Sequence, residues 1–431
     1  MLSELENTHL TLVGPGTPMG ELQRRYWHPI AAVEELKDAW TKRVRLLGED
    51  LVLFRDRSGV LGLIAEFCPH RRASMAYGIP QEVGIRCPYH GWQFDASGTC
   101  INHPNEPDGS TFKDKTATTG YPVQALGGMI FAYMGPLPAP LLPRWPGFVV
   151  DGAIRQIGQA IIPCNWLQIM ENSLDPVHTE WLHGKLQEFV EEKSGFAGTH
   201  YQISRKHLKI AFQEFKYGIY KRRLLEGASE DSDDWRVGHP VLFPNILAVG
   251  SGGGKVWKFH AYQMRVPIDD VTSMHYWYIA YEPPAGMDVP QRLLDRVPLY
   301  DFPYRDENGE FKLNIVDAQD VMAWVTQGPI ALRHLEKLGT TDSGVIQYRK
   351  MLQREMAKVA RGEDPIGVIR DPAENDALEF PLEKNKAHFT DGFESQIRRT
   401  QVQYSPFIPD LIRVFDEYNE AKAQAAEPVL A

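Results

Sequence analysis

The sequence predicts an α+β protein: a small antiparallel β unit first, then a larger unit with an antiparallel sheet flanked by helices. Three observations carry this. Short apolar runs separated by turn residues fill positions 27 to 140. Pro136, Pro138, Pro140, Pro143 and Pro146 then crowd one short stretch and mark a boundary. Beyond it, longer strand-like runs give way to helical periodicity in the last third. At 431 residues the chain exceeds the roughly 250–300 that one core usually supports, so at least two domains are expected.

Residues 1–26 read as a lead-in, helical over Thr11 to Arg25 around the turn signals Gly14-Pro15-Gly16. The first β unit, 27–140, opens with Arg43–Leu47 and Leu51–Phe54, separated by Gly48-Glu49-Asp50. A turn at Asp56–Gly59 precedes Leu61–Phe67, and Met129–Met134 closes the unit. The second unit, 141–431, has predicted strands at Ile154–Ile162, Tyr201–Phe212, Leu242–Val249, Val256–Val266 and Ser273–Tyr281. Helical periodicity appears over Trp166–His183, Ile315–Gln327, Gly344–Arg361 and Ser405–Ala425. The run Gly250-Ser251-Gly252-Gly253-Gly254-Lys255 lacks the first Gly and the Ser/Thr of a phosphate loop, and reads as a hairpin turn.

Composition narrows the function. A net charge of −10 argues against nucleic acid as a partner. No basic and apolar leader opens the chain, and no apolar run is long enough to span a membrane, so a cytoplasmic protein is expected. Four cysteines are too few for a disulfide scaffold. In a reducing compartment, clustered cysteines more often bind metal or do redox chemistry.

Two of them are clustered. Cys68-Pro69-His70 is followed, after sixteen intervening residues, by Cys87-Pro88-Tyr89-His90. Each half puts one thiolate and one imidazole on a tight loop, and the proline after each cysteine stiffens it. Two thiolates on one iron and two imidazoles on the other would hold a [2Fe–2S] cluster. The same four residues suit a structural zinc, although zinc fingers usually pair Cys with Cys and His with His. Cys100 and Cys164 have no matching partners and read as ordinary buried thiols. Cys-Pro-His-Arg at 68–71 and Cys-Pro-Tyr-His-Gly-Trp at 87–92 resemble the two signature loops of a Rieske domain.

A second constellation follows. Glu171 to His183 packs two histidines and several carboxylates into thirteen residues. Asp175 and His178 share a helix face, but His178 and His183 lie about 140° apart on an ideal helix. Both reach one metal only if the helix is distorted, which Pro176 or a π-type bulge would allow. Two histidines and a carboxylate make the facial triad of non-haem Fe(II) oxygenases. Asp317 and Asp320, on a later helical segment, are candidates for the third ligand.

The whole arrangement resembles the oxygenase component of Rieske non-haem iron oxygenases. The resemblance makes His178, His183 and Asp320 the iron ligands. It also implies that Asp175 joins His178 to the cluster ligand His90 of a neighbouring subunit. Gly14–Gly20, Arg25-Tyr26-Trp27 and Gln327-Gly328-Pro329-Ile330 look like the phthalate-dioxygenase-type branch, whose oxygenases contain α subunits only, as trimers or pairs of trimers. A homotrimer or pair of trimers is therefore expected. Cofactors follow: a [2Fe–2S] cluster, mononuclear Fe(II), O₂ as co-substrate, and NAD(P)H only through a partner reductase or ferredoxin.

The implied reaction is hydroxylation or oxidative demethylation of a small aromatic substrate, an aromatic acid above all. Ring cis-dihydroxylation is the alternative. A Rieske electron carrier or zinc-binding module is the alternative of another class, although a carrier would need only about the first 140 residues. His239, Phe243, Asn245 and His260 are candidate pocket residues, with core packing as the competing reading. Lys216, Lys221, Arg222 and Arg223 could attract a carboxylate, but read more readily as a solvated face.

Overall fold

The computed structural model describes residues 2–193, 204–252, 257–376, 378–383 and 397–426. The N-terminal strands are β1 (Trp27–Ala32), β2 (Thr41–Leu46), β3 (Glu49–Arg55), β4 (Leu61–Ala65), β5 (Ile79–Pro80), β6 (Ile85–Arg86), β7 (Gln93–Phe94), β8 (Cys100–Asn102), β9 (Gly120–Tyr121), β10 (Val123–Leu126) and β11 (Met129–Tyr133). They form three small antiparallel sheets, ordered β1-β11-β10, β2-β3-β4-β9 and β5-β6-β7-β8. The β2–β3 turn is tighter than the sequence suggested. Leu47 and Gly48, both at positive φ, make it alone, and Glu49 already belongs to β3. Two consecutive positive φ values match the right-handed twist of the flanking strands.

The second unit is built on one eight-stranded sheet. Its strands are β12 (Ile154–Ile162), β13 (His207–Phe215), β14 (Gly218–Leu225), β15 (His239–Leu242), β16 (Ile246–Ser251), β17 (Lys258–Pro267), β18 (Ser273–Glu282) and β19 (Leu299–Asp301), in the order β13-β14-β15-β16-β17-β18-β12-β19. Neighbours pair antiparallel except β12 with β19. The run predicted as one strand over Leu242–Val249 is instead β15 and β16. Pro244 sits between them and has no N–H for a ladder. Residues 201–203 and 256 of two predicted strands and 253–255 of the predicted hairpin turn lie outside the described residues. The arms around the latter, Ser251 and Phe259, pair as a hairpin requires.

Helices cover the sheet. Trp166–Ser173, Leu186–Lys193, Val316–Val325, Ser343–Ala360 and Ile408–Ala426 belong to the second unit, and Glu4–Thr11 and Pro18–Gln23 to the lead-in. The helix predicted over Trp166–His183 is broken. It stops after Ser173, the Asp175 carboxylate accepts from the Val177 amide at 2.8 Å, and a π-helical turn runs Thr179–Lys185. Pro176 cannot continue an α-helix, and the aspartate restarts the chain as a cap. Among the described residues no helix is long and apolar enough to cross a membrane.

The units are joined by buried polar contacts. Leu47 and Gly48 donate their amides to Pro267 and Ile268, and the Tyr278 hydroxyl donates to Gly127. Glu171, on the Trp166–Ser173 helix, accepts from Arg333 and Arg349, and Arg333 also donates to Asn7 of the lead-in. Losing one partner of such a buried pair costs about 3–5 kcal/mol, so this network fixes the helix that leads into the candidate site.

Candidate metal centres

The first centre sits where two loops of the small β unit meet. Cys68 and Cys87 are buried at 2% exposure, whereas His70 lies at the surface and His90 is partly exposed. Each loop closes on itself: the Arg72 amide donates to Cys68, the Gly91 amide to Cys87, and the Cys87 amide to Trp92. Arg72 and Gly91 take positive φ to allow this. The His70 and His90 rings lie 4.5 Å apart, and Trp92 stacks on His70 at 4.5 Å.

The two sulfurs share a hydrogen bond. It lowers the Cys87 thiol to about 6, helped by the amides of Tyr89 and His90, and pushes Cys68 up, together with burial. Amides of His70 and Arg71 favour the Cys68 thiolate. Such a cradle holds sulfur anions. The two thiols stand against each other, and the two imidazole rings stand against each other. A single zinc would draw them together, whereas two irons would keep the thiolates and imidazoles apart. The donor set therefore fits the cluster. Cys100 and Cys164 are buried and free, away from both loops in role: the first packs in the small core and the second beneath the large sheet.

The second centre gathers His178, His183 and Asp320, whose ligand atoms lie within 4.8 Å of one another. Nε2 of His183 is 3.2 Å and Nε2 of His178 is 3.8 Å from Asp320 Oδ1. In the π turn the Leu186 amide reaches back five residues to Trp181, so residues five apart share a face. Burial drives His178 down to about 4, with His183 beside it adding to the effect. Burial pushes Asp320 up, but His183 and His178 outweigh it and hold the carboxyl below its usual range. At His183 burial also favours the neutral ring, but Asp320 and Gln319 outweigh it and raise the imidazole. His178 and Asp320 are therefore already in the forms that bind iron, whereas His183 would release a proton on binding it.

Other residues serve these three. Asn172 donates to Asp320 at 3.3 Å. The Nδ1 of His178 faces the Asp175 main-chain carbonyl at 2.5 Å, and the Asp175 carboxylate stands 3.8 Å from it. His183 Nδ1 meets Gln319 Oε1 at 2.9 Å. Asp317, the competing ligand candidate, points elsewhere. It accepts from the Gln401 amide at 2.8 Å, and burial raises it to about 6.

The sheet face towards these helices carries unexpected charge. Strand alternation turns Lys221 and Arg223 inwards, and both are buried, at 6% and 5% exposure. They do not belong to a solvated face. Arg223 bonds Asp234 and Thr179 of the π turn, whereas among the described residues Lys221 has no carboxylate within ion-pair distance. The guanidinium of Arg265 on β17, fully buried, donates to the carbonyl and side chain of Gln263, and among the described residues it has no carboxylate within ion-pair distance. Lys216 is exposed and pairs with Glu374. His260, on the opposite face beside Gly147, pairs with Glu282, and His239 pairs with Glu383. Phe243 packs on Tyr26 and Tyr348, and Asn245 donates to Arg265. A mostly apolar cavity of about 140 Å³, bounded by Phe259, Ala261, Gln263, Trp277 and Asp317, lies over the same face.

Sequence reasoning missed Asn172, Gln319, Gln187 and Arg265. A glutamine next to the aspartate in an otherwise apolar helix was the one available signal. A further group, Asp234, His239 and Glu383, also gathers within 4.8 Å, but Arg223 and His239 already satisfy its carboxylates.

Known proteins match this picture. A family model described as the Rieske [2Fe-2S] domain matches residues 26–119, and one described as LigXa C-terminal domain like matches 306–380. The 5,5'-dehydrodivanillate O-demethylase oxygenase subunit of Sphingobium sp. (strain NBRC 103272 / SYK-6) is 44% identical over 386 residues, 88% of this chain and 87% of that protein. The phthalate 4,5-dioxygenase oxygenase subunit of Pseudomonas putida is 32% identical, over 85% of this chain and 89% of that one. The solved structure of Pseudomonas putida CBB5 NdmA with caffeine shares the fold, with a TM-score of 0.57 at 18% identity over 86% of this chain and 100% of that one. With that much of its length matched by oxygenase subunits, the chain belongs to the Rieske non-haem iron oxygenases, as an oxygenase subunit of the phthalate-dioxygenase type.

Proposed function

We propose that this oxygenase subunit takes electrons from a separate reductase or ferredoxin, which oxidises NAD(P)H, and demethylates a methoxy-substituted aromatic acid. When bound, the cluster supplies single electrons and the mononuclear iron activates O₂. Cys68, His70, Cys87 and His90 hold the cluster in this reading, and His178, His183 and Asp320 hold the iron. Residues 27–140 serve electron delivery, and 141–431 build the pocket.

The observation that carries the substrate class is a pair of buried basic side chains, Lys221 and Arg265, on the sheet face towards His178 and Asp320. Among the described residues neither has a carboxylate within ion-pair distance, and burial lowers them to about 7 and about 9. An uncompensated buried charge is costly, and a substrate carboxylate would supply the missing partner. Trp277 and Phe259 line the neighbouring apolar cavity and suit an aromatic ring. The 44% identity to an O-demethylase subunit favours demethylation over ring dihydroxylation. One oxygen atom of O₂ enters a methyl C–H bond, and the other leaves as water with two electrons and two protons. The resulting hemiacetal breaks into a phenol and formaldehyde.

Exposed groups at the same site support assembly as a homotrimer or pair of trimers. The Asp175 side chain keeps 32% exposure beside His178, and Trp181 and Phe189 nearby are exposed at 66% and 54%. Tyr89, next to His90, is exposed at 56%. A neighbouring copy that brings its cluster loops to this surface would cover these apolar groups and set its second cluster histidine against Asp175. The test is O₂ uptake by the reconstituted protein with a reductase and a panel of methoxylated aromatic acids. Formaldehyde in step with O₂ is expected. A cis-diol without formaldehyde would replace demethylation by ring dihydroxylation, and no coupled uptake with any acid would remove the substrate class.

A further inference from the structure

Gln319 is fully buried and stands beside Asp320 on the Val316–Val325 helix. Its Oε1 meets His183 Nδ1 at 2.9 Å. Its Nε2 donates to the Leu313 carbonyl and to Gln187 Oε1, each at 2.7 Å. Gln187 is four residues after His183 and donates in turn to Glu191 at 2.9 Å. We infer that Gln319 is a positioning residue that sets the tautomer and orientation of His183 for iron. The inference rests on the proposed ligand set.

The chain of constraint runs one way. A main-chain carbonyl only accepts, so the end of the amide facing Leu313 must be its NH₂ group. Its oxygen then faces His183, and an acceptor there requires the proton on Nδ1. A neutral imidazole so protonated carries its lone pair on Nε2, the nitrogen 3.2 Å from Asp320. Turning the amide over would set one carbonyl against another in a buried site, where an unpaired polar group costs about 1–3 kcal/mol. One short helix thus provides both the carboxylate and the group that aims a histidine at the same metal.

The two histidines differ in this respect. His178 is oriented by the main-chain carbonyl of Asp175, which no side-chain substitution removes. His183 depends on a side chain. Partners of this kind typically change metal affinity by about 10–100-fold when lost.

The test uses the full-length protein carrying its cluster. Fe(II) affinity is measured by chelator competition, with cluster absorbance as the count of folded sites, and the nitric oxide adduct of the ferrous site is recorded by EPR. Gln319→Leu is expected to weaken Fe(II) binding about 10–100-fold with the cluster spectrum unchanged. Gln319→Glu, which retains an acceptor for Nδ1–H but sets its second oxygen against the Leu313 carbonyl, is expected to recover part of that affinity. Wild-type affinity and an unaltered EPR signal in Gln319→Leu would overturn the positioning role, provided His183→Ala loses the iron. If His183→Ala also keeps its mononuclear iron, the ligand set itself is wrong. Should Gln319→Leu fail to fold, Gln187→Leu decides: a changed EPR signal supports the interlock, and an unchanged one overturns it.

Discussion

His178 and His183 are five residues apart, yet both direct Nε2 at a single oxygen of Asp320, at 3.8 and 3.2 Å. A regular α-helix would hold them about 140° apart. The π turn over Thr179–Lys185 removes that offset, and the cap at Asp175 fixes where it begins. The geometry is thus made by an irregular helix and a regular one, the second bringing Asp320 from far along the chain.

That arrangement separates the two acids of the later helix. Asp320→Ala is expected to lose the mononuclear iron while the cluster absorbance persists, leaving about two irons per chain where the intact protein holds about three. Asp317→Asn should keep the iron, because Asp317 serves the Gln401 amide. Its cost should fall on stability, about 1–2 kcal/mol for a weakened buried hydrogen bond. Metal analysis and urea denaturation of the two variants check this; iron lost from Asp317→Asn alone would reverse the assignment.

Lys221 should act on substrate binding rather than on turnover. A charge-assisted hydrogen bond to a carboxylate is worth about 1.5–3 kcal/mol, so Lys221→Met should raise KM roughly 10–100-fold with kcat little changed. The methyl ester of the same acid should lose little further in the variant. Equal losses on acid and ester would assign Lys221 to packing.

Asp175→Asn should retain both metal centres and lose substrate-coupled O₂ uptake. The main-chain carbonyl still orients His178, so iron affinity is protected, while the side chain no longer offers a carboxylate to the neighbouring subunit. Stopped-flow reduction and reoxidation of the cluster, with substrate bound, measures the step directly. Normal reoxidation would remove the bridging role.

The two candidate cluster loops stand out in the sequence because their residues are local: two thiols and two imidazoles on two tight turns are marked by spacing alone. The histidine pair was legible too, along with the need for a distorted helix. Asp320 was preferred to Asp317 only through resemblance, since three-residue spacing puts both on one helix face. Lys221-Arg222-Arg223 misled because a run of charge reads as solvated. On a strand covered by helices, alternation buries the first and third while turning the second away. Arg265 and Gln319 depend on partners far apart in sequence, Asp320 and His183 among them, and no local pattern marks such contacts.

Acid should destabilise the fold before it strips the surface ion pairs. His28 is fully buried on β1, with Nε2 2.8 Å from the Gln23 carbonyl and Nδ1 3.4 Å from Asn245. Burial lowers it from 6.5 to about 4, against the partial opposition of the Gln23 carbonyl. The unfolded chain therefore takes up a proton near pH 6.5 that the folded chain refuses until about pH 4. Stability is retained above the first value and falls steadily as pH drops through that window, by on the order of 3 kcal/mol. His275, buried and without a hydrogen-bond partner for either ring nitrogen among the described residues, is lowered for the same reason and adds to the slope with the same sign. Urea midpoints between pH 7 and pH 4 should fall for the intact protein. His28→Gln, which cannot take up the proton, should flatten part of that fall at the cost of some stability at pH 7. An unchanged slope in the variant would move the acid sensitivity to another group.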